Sequence, residues 1–237
     1  MPLPKIVTPE FSTHLPSTGE EIFFRPFLVK EEKILLMAQQ GKDPKEIQKA
    51  VVHILSECIK TPVVVEELAL FDVEWLFLQL RSKSVSEVID VKLNHVEKED
   101  CGHGNRILIP IKDIQMSSNK EHKDVIILDD ATGIGVQMKY PSLDLYNILD
   151  LTNQSYEQVF EVIVQSVQSV FDKDQVYNDF TKPEIEKFIE DLDQKHLQKF
   201  MNFFDTMPKL EHEIKYKCEK CGEEVTTKLS GLMDFFI

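Results

Sequence analysis

His212-Glu213-Ile214-Lys215-Tyr216-Lys217-Cys218-Glu219-Lys220-Cys221-Gly222, followed by Val225-Thr226-Thr227-Lys228-Leu229, decides how this chain is read. Two runs of strand-forming residues flank a Cys-x-x-Cys-Gly turn, the knuckle of a zinc ribbon. Two residues between the cysteines let both sulfurs face one ion, and Gly222 relieves the tight backbone turn. A redox role is set aside, because thioredoxin-like Cys-x-x-Cys pairs open a helix in a βαβ unit and this one joins two strands.

One knuckle supplies two ligands, and a closed structural site needs four. Further upstream, Val88, Asp90, Lys92 and Asn94 alternate with Ile89, Val91, Leu93 and His95. Cys101-Gly102-His103-Gly104-Asn105 then turns the chain into Arg106-Ile107-Leu108-Ile109-Pro110-Ile111, giving a second hairpin with a ligand-rich tip. Cys101 and His103 are its obvious donors, with His95 or His212 as substitutes. Cys-x-His is a poorer chelate spacing than Cys-x-x-Cys. Two outcomes therefore stay open: one structural zinc ion on Cys101, His103, Cys218 and Cys221, or a worn ribbon that keeps the hairpins without the metal.

The 237 residues, 42% of them apolar and 15 of them Phe, make one large or two small domains with a real core, which excludes general disorder. Lys plus Arg number 27 against 41 Asp plus Glu, a formal charge of -14 that argues against nucleic acid as a partner. Four cysteines are too few for a disulfide-stapled secreted domain and fit a reducing cytoplasm. The opening MPLPKIVTPEF lacks the apolar run of a signal peptide. No stretch approaches the ~20 apolar residues that cross a bilayer. The expectation is a soluble, acidic protein with no membrane partner.

Hydrophobic spacing gives the rest of the architecture. A hairpin is expected around Pro16-Ser17-Thr18-Gly19, then three helices over about residues 30 to 83. Short strands fit 124 to 128 and 134 to 139, and helices fit 142 to 151 and 155 to 171. Thr181-Lys182-Pro183-Glu184 has the spacing of a capping box, and a further helix runs through Leu197, Phe200, Met201 and Phe204. The fold class is α+β: a helical body with short antiparallel hairpins, two of which form a zinc-ribbon-like unit. The expected division is 1–84 (hairpin and helical layer), 85–140 (β-rich, with the first ribbon hairpin), 141–207 (helices) and 208–237. That last segment, the second ribbon hairpin and an apolar tail, should pack with 85–140.

Catalytic patterns are missing. The seven His residues show no HExxH spacing, and no Ser, His and acid set can be built from local motifs. Asp129-Asp130 reads as a solvated turn, and Gly133-Ile134-Gly135 lacks the third glycine and the helix of a dinucleotide fingerprint. Cys58 and Trp75 lie on apolar helix faces and read as core.

Five segments together resemble the baseplate hub assembly proteins of T4-like contractile-tailed bacteriophages: Met1-Pro2-Leu3-Pro4-Lys5-Ile6, the run from Phe24-Arg25-Pro26-Phe27 to Lys33, Phe77-Leu78-Gln79-Leu80-Arg81-Ser82-Lys83-Ser84-Val85, Met138-Lys139-Tyr140-Pro141-Ser142 and Leu229-Ser230-Gly231-Leu232-Met233-Asp234-Phe235-Phe236. They occur in consistent order from end to end. The resemblance implies a non-enzymatic hub assembly factor or minor hub component, with hub or tape-measure proteins as partners. It implies action in the host cytoplasm during tail assembly, or residence in the virion baseplate, and it offers no catalytic residues.

Protein binding needs apolar anchors, and the candidates are Phe203, Phe204, Met207 and the terminal Leu232, Met233, Phe235, Phe236 and Ile237. The tail either docks on another chain or packs on its own domain. The competing class is a zinc-ribbon protein with a metal-dependent enzymatic or nucleic-acid-binding role, which would need an open metal position or a basic stripe.

Overall fold

A computed structural model describes residues 6–41, 43–95, 101–117, 119–146 and 155–236, apart from the side chains of 144, 146, 232, 233 and 236. In chain order the elements are β1 (Phe11–His14), β2 (Glu21–Phe24), α1 (Val29–Gly41), α2 (Pro44–Cys58), α3 (Leu70–Ser84), β3 (Val88–Asn94), β4 (Gly104–Pro110) and β5 (Gln115–Ser117). They continue as β6 (Val125–Asp129), β7 (Ile134–Met138), α4 (Leu143–Tyr146), α5 (Tyr156–Ser166), β8 (Val167–Phe171) and β9 (Val176–Tyr177). The chain closes with α6 (Lys182–Glu190), α7 (Gln194–Thr206), β10 (Lys209–Lys217), β11 (Glu224–Ser230) and α8 (Gly231–Phe236). Helices and small antiparallel sheets mix as expected of an α+β chain. No helix among the described residues is long and apolar enough to cross a membrane.

The chain divides into two compact units. One comprises residues 1–65, 71–117 and 209–237, and the other residues 66–70 and 118–208. The β6–β7 hairpin thus groups with the C-terminal helices, not with the first ribbon hairpin.

In the second unit, β6, β7, β8 and β9 form one antiparallel sheet in that order. Ile126, Val136 and Met138 of the sheet share a core with Ile163 of α5, Ile185 and Ile189 of α6, and Phe200 and Phe203 of α7. Each helix has a sequence-encoded start. Ser155 and Gln158 cap α5 reciprocally, Thr181 and Glu184 do the same for α6, and Asp193 accepts from the Lys195 and His196 N–H groups to start α7.

The helix expected over 155 to 171 stops at Ser166. Val167, Ser169, Val170 and Phe171 instead pair with β7. β-Branched Val167 and Val170 are at ease on a pleated sheet, and the tertiary pairing with Met138 and Val136 overrides the helical spacing. Of the helix expected over 142 to 151, Leu143–Tyr146 is helical and 147–151 lie outside the described residues. The short strands β5 and β9 were not foreseen; at three and two residues they are too brief for a period to show.

The first unit is built around α3, whose buried residues Phe71, Asp72, Val73, Leu76, Phe77, Leu78 and Leu80 point in nearly every direction, as a central helix requires. By contrast α2 buries one stripe, Ile47, Ala50, Val51, Ile54, Leu55 and Cys58. Asp72 is buried, and the Ser17 N–H (3.0 Å) and hydroxyl both donate to it. Burial drives its carboxyl above the usual range, against the pull of those two bonds. The β1–β2 hairpin is tied to α3 again where the Trp75 indole N–H donates to Thr13 Oγ1 at 3.1 Å. β10 lies between β11 and β5 in a three-stranded sheet, and β3 pairs with β4.

Glu31, 1% exposed, anchors the turn between β2 and α1. It accepts from the Leu28 N–H at 2.7 Å and from Arg25 Nη2 at 2.8 Å, with Lys30 Nζ at 3.2 Å. Burial alone would raise its carboxyl, but these donors outweigh it and hold the group at about 2. A carboxylate held that low contributes stability at any pH above its ordinary value of ~4.3, and loses it as pH falls toward the folded value. Glu31→Gln should therefore cost about 3 kcal/mol near neutral pH, the scale of a broken buried ion pair. Urea denaturation across a pH series should show the gap between wild type and variant closing below about pH 4. An unchanged gap in acid would sink this account.

Candidate metal centre

The β3–β4 and β10–β11 hairpins of the first unit end in knuckles with the same backbone plan. In the second, the Cys218 N–H donates to the Glu223 carbonyl (2.8 Å) and the Gly222 N–H to the Cys218 carbonyl (2.9 Å). In the first, the His95 N–H donates to the His103 carbonyl (2.9 Å) and the Gly102 N–H to the His95 carbonyl (3.1 Å). Both glycines take positive φ, 52° at Gly102 and 75° at Gly222, the conformation glycine adopts without strain, and each directly follows a cysteine, Cys101 or Cys221. His95 thus stands where Cys218 stands, and Cys101 where Cys221 stands.

This correspondence brings four side chains together. One ligand atom from each of His95, Cys101, Cys218 and Cys221 lies within 4.8 Å of the others, an arrangement that could hold a metal ion. The Cys101 and Cys218 sulfurs are 3.6 Å apart, and Cys221 Sγ is 3.4 Å from His95 Nδ1. His95, Cys101 and Cys218 are buried and Cys221 is exposed. His103 falls outside the group: its backbone carbonyl is used in the knuckle, and its Nε2 faces Glu219 at 3.8 Å. His212 sits along β10, paired with Leu229, and is not in the group either.

Electrostatics differ across the cluster. Cys218 is held down at about 5, first by the Cys221 N–H and then, against burial, by the Lys220 N–H, Cys101 and His95. The His103 N–H favours the Cys101 thiolate, but burial and the neighbouring thiols of Cys218 and Cys221 push that thiol up. Buried Asn105 bridges the knuckles. Its Oδ1 accepts from the Glu219 N–H at 2.9 Å, and its Nδ2 donates to the His103 carbonyl at 3.1 Å and points at Cys218 Sγ at 3.7 Å. Lys220 Nζ adds a bond to the Cys101 carbonyl at 2.9 Å. Sequence reasoning missed Asn105. The signal for His95 was present, since both His95 and Cys218 directly follow a strand and both Cys101 and Cys221 precede a glycine.

The expected partner anchors are placed otherwise. Phe203 is 2% exposed in the core of the second unit and stacks on Tyr140, so its side chain serves the chain's own packing. Phe204 packs half-buried against the same core, and Met207 is also half-buried. Phe235, 2% exposed, is covered within the first unit, where α8 lies against β10 and β11. The side chains of Leu232, Met233 and Phe236, and all of Ile237, lie outside the described residues.

The family model of the T4 bacteriophage base plate protein matches residues 8–237. The chain belongs to that family. No curated protein and no solved structure matches it. The match takes in four of the five segments that carried the resemblance and leaves out the opening one, residues 1–6. Two of those segments meet in this base plate protein: the Phe27 N–H donates to Ser84 Oγ at 3.0 Å, and that hydroxyl donates to the Leu80 carbonyl at 2.6 Å.

Removing the Asn105 amide would take the acceptor from the Glu219 N–H and one of two donors from the His103 carbonyl, which keeps its bond from the His95 N–H. Asn105→Ala should cost about 1 kcal/mol, the net worth of a hydrogen bond in a folded chain. Urea denaturation of the two proteins under identical conditions measures the difference. A variant as stable as wild type would show that solvent replaces the bridge.

Proposed function

We propose that this base plate family member is a non-enzymatic assembly factor or minor component of the tail baseplate hub. It acts by binding hub or tape-measure proteins, in the host cytoplasm while tails are built or within the virion baseplate. One structural zinc ion is the cofactor this reading calls for.

A single observation carries the reading: the family match runs through both units, not along one module of a mosaic. Two features support it. The Cys/His group already offers four ligands, so an ion there would have no open position for a substrate, unlike catalytic zinc. A formal charge of -14 is also a poor match to a phosphate backbone.

The experiment uses phage whose copy of this gene is interrupted. Infected cells should accumulate baseplate precursors without a finished central hub, and the wild-type chain supplied from a plasmid should restore complete tails. Electron microscopy of the lysates reads both results. Normal infectious tails from the interrupted gene would overturn the reading, and stalled particles with intact hubs would remove the hub from it. Mass spectrometry of purified particles beside the lysate separates a retained component from a factor that leaves.

A further inference from the structure

We propose that the two knuckles of the first unit bind one zinc ion through His95 Nδ1 and the thiolates of Cys101, Cys218 and Cys221, with His103 outside the ligand set. This deepens the reading above by naming the ligands of its zinc ion.

Tetrahedral zinc, with Zn–S of about 2.3 Å and Zn–N of about 2.0–2.1 Å, sets its ligand atoms about 3.8 Å apart for two sulfurs and about 3.6 Å for sulfur and nitrogen. Two of the pairs, at 3.6 Å and 3.4 Å, sit close to those edges, and every pair lies within 4.8 Å. The sulfurs are much too far apart for a disulfide, whose bond is about 2.05 Å, and all four cysteines are free. Three soft thiolates with one imidazole in a tetrahedral set select zinc over the harder divalent ions.

Surrounding groups fit the same occupant. Zn²⁺ with three thiolates and a neutral imidazole carries one net negative charge, and binding releases the thiol protons to solvent. The Asn105 amide donates toward Cys218 Sγ, as outer-shell donors do for ligating thiolates. The Lys220 ammonium stands beside the site on the Cys101 carbonyl.

The test uses the full untagged chain, made with zinc in the medium and passed through a desalting column. Elemental analysis should find about one zinc per chain. The Co²⁺-exchanged protein should show the visible bands of a tetrahedral site with thiolate charge transfer. His103→Ala should keep the metal, whereas His95→Ala should weaken its retention at least 10-fold against a chromophoric chelator. Should His95→Ala fail to fold, His95→Cys decides the matter, because it should keep the metal and shift the cobalt bands toward those of four thiolates. Less than about 0.2 zinc per folded wild-type chain would overturn the proposal. So would loss of metal from His103→Ala with retention in His95→Ala. Metal content is read on purified protein and hub formation in infected cells, so either result can fail while the other stands.

Discussion

Lys209, Leu210 and Glu211 of β10 lie opposite Ser117, Met116 and Gln115 of β5, and the Lys209 N–H donates to Ser117 Oγ at 3.0 Å. This short antiparallel clasp joins the two points between which residues 118–208 leave and return. Everything that completes the first unit follows from it. Once β10 is registered on β5 it runs on to pair with β11, carries Cys218 to the knuckle, and leads to the turn of α8 over the strands. Closing so long an intervening segment is cheaper than its length suggests, because loop entropy grows only with the logarithm of length, about 0.6 kcal/mol per doubling. The second unit also has a hydrophobic core of its own.

The Cys/His group illustrates how backbone geometry, more than residue type, decides which side chains converge. Two tips with the same pair of N–H···O=C bonds present their side chains in the same way, so the residue after each strand and the residue before each glycine come together. The knuckles differ in the chain between those positions: residues 96–100 separate His95 from Cys101, whereas residues 219 and 220 separate Cys218 from Cys221. The longer first knuckle disguises the likeness in the sequence while its hydrogen bonds preserve it.

Much of the architecture was legible because it rests on local physics. Asp43-Pro44 starts α2, Thr181 with Glu184 starts α6, and the alternation from Val88 to Asn94 gives β3. What failed was decided at a distance. Val167 to Phe171 continue a helical spacing, but β7 claims them as a strand. Phe203 looked like an exposed anchor near the end of an amphipathic helix, until Tyr140, distant in sequence, covered it. His103 is nearer to Cys101 in sequence than His95 is, yet His95 shares the cluster, because a hairpin brings together the two ends of a loop and not its nearest neighbours. Asn105 could not be singled out, since its role exists only when both knuckles are present.

A unit assembled from three separate stretches of chain has a consequence for how the protein is made. Ribosomes deliver the N-terminus first and units fold as they emerge. The stretch bearing His95 and Cys101 is therefore synthesised before the entire second unit, and its complement in β10 and β11 only after it. Until the last strands leave the exit tunnel, one knuckle stands without its counterpart and β5 without its central neighbour. Completion of that sheet thus waits on β10 and β11. A chain that stops before β10 can own a finished second unit and still lack a finished first one.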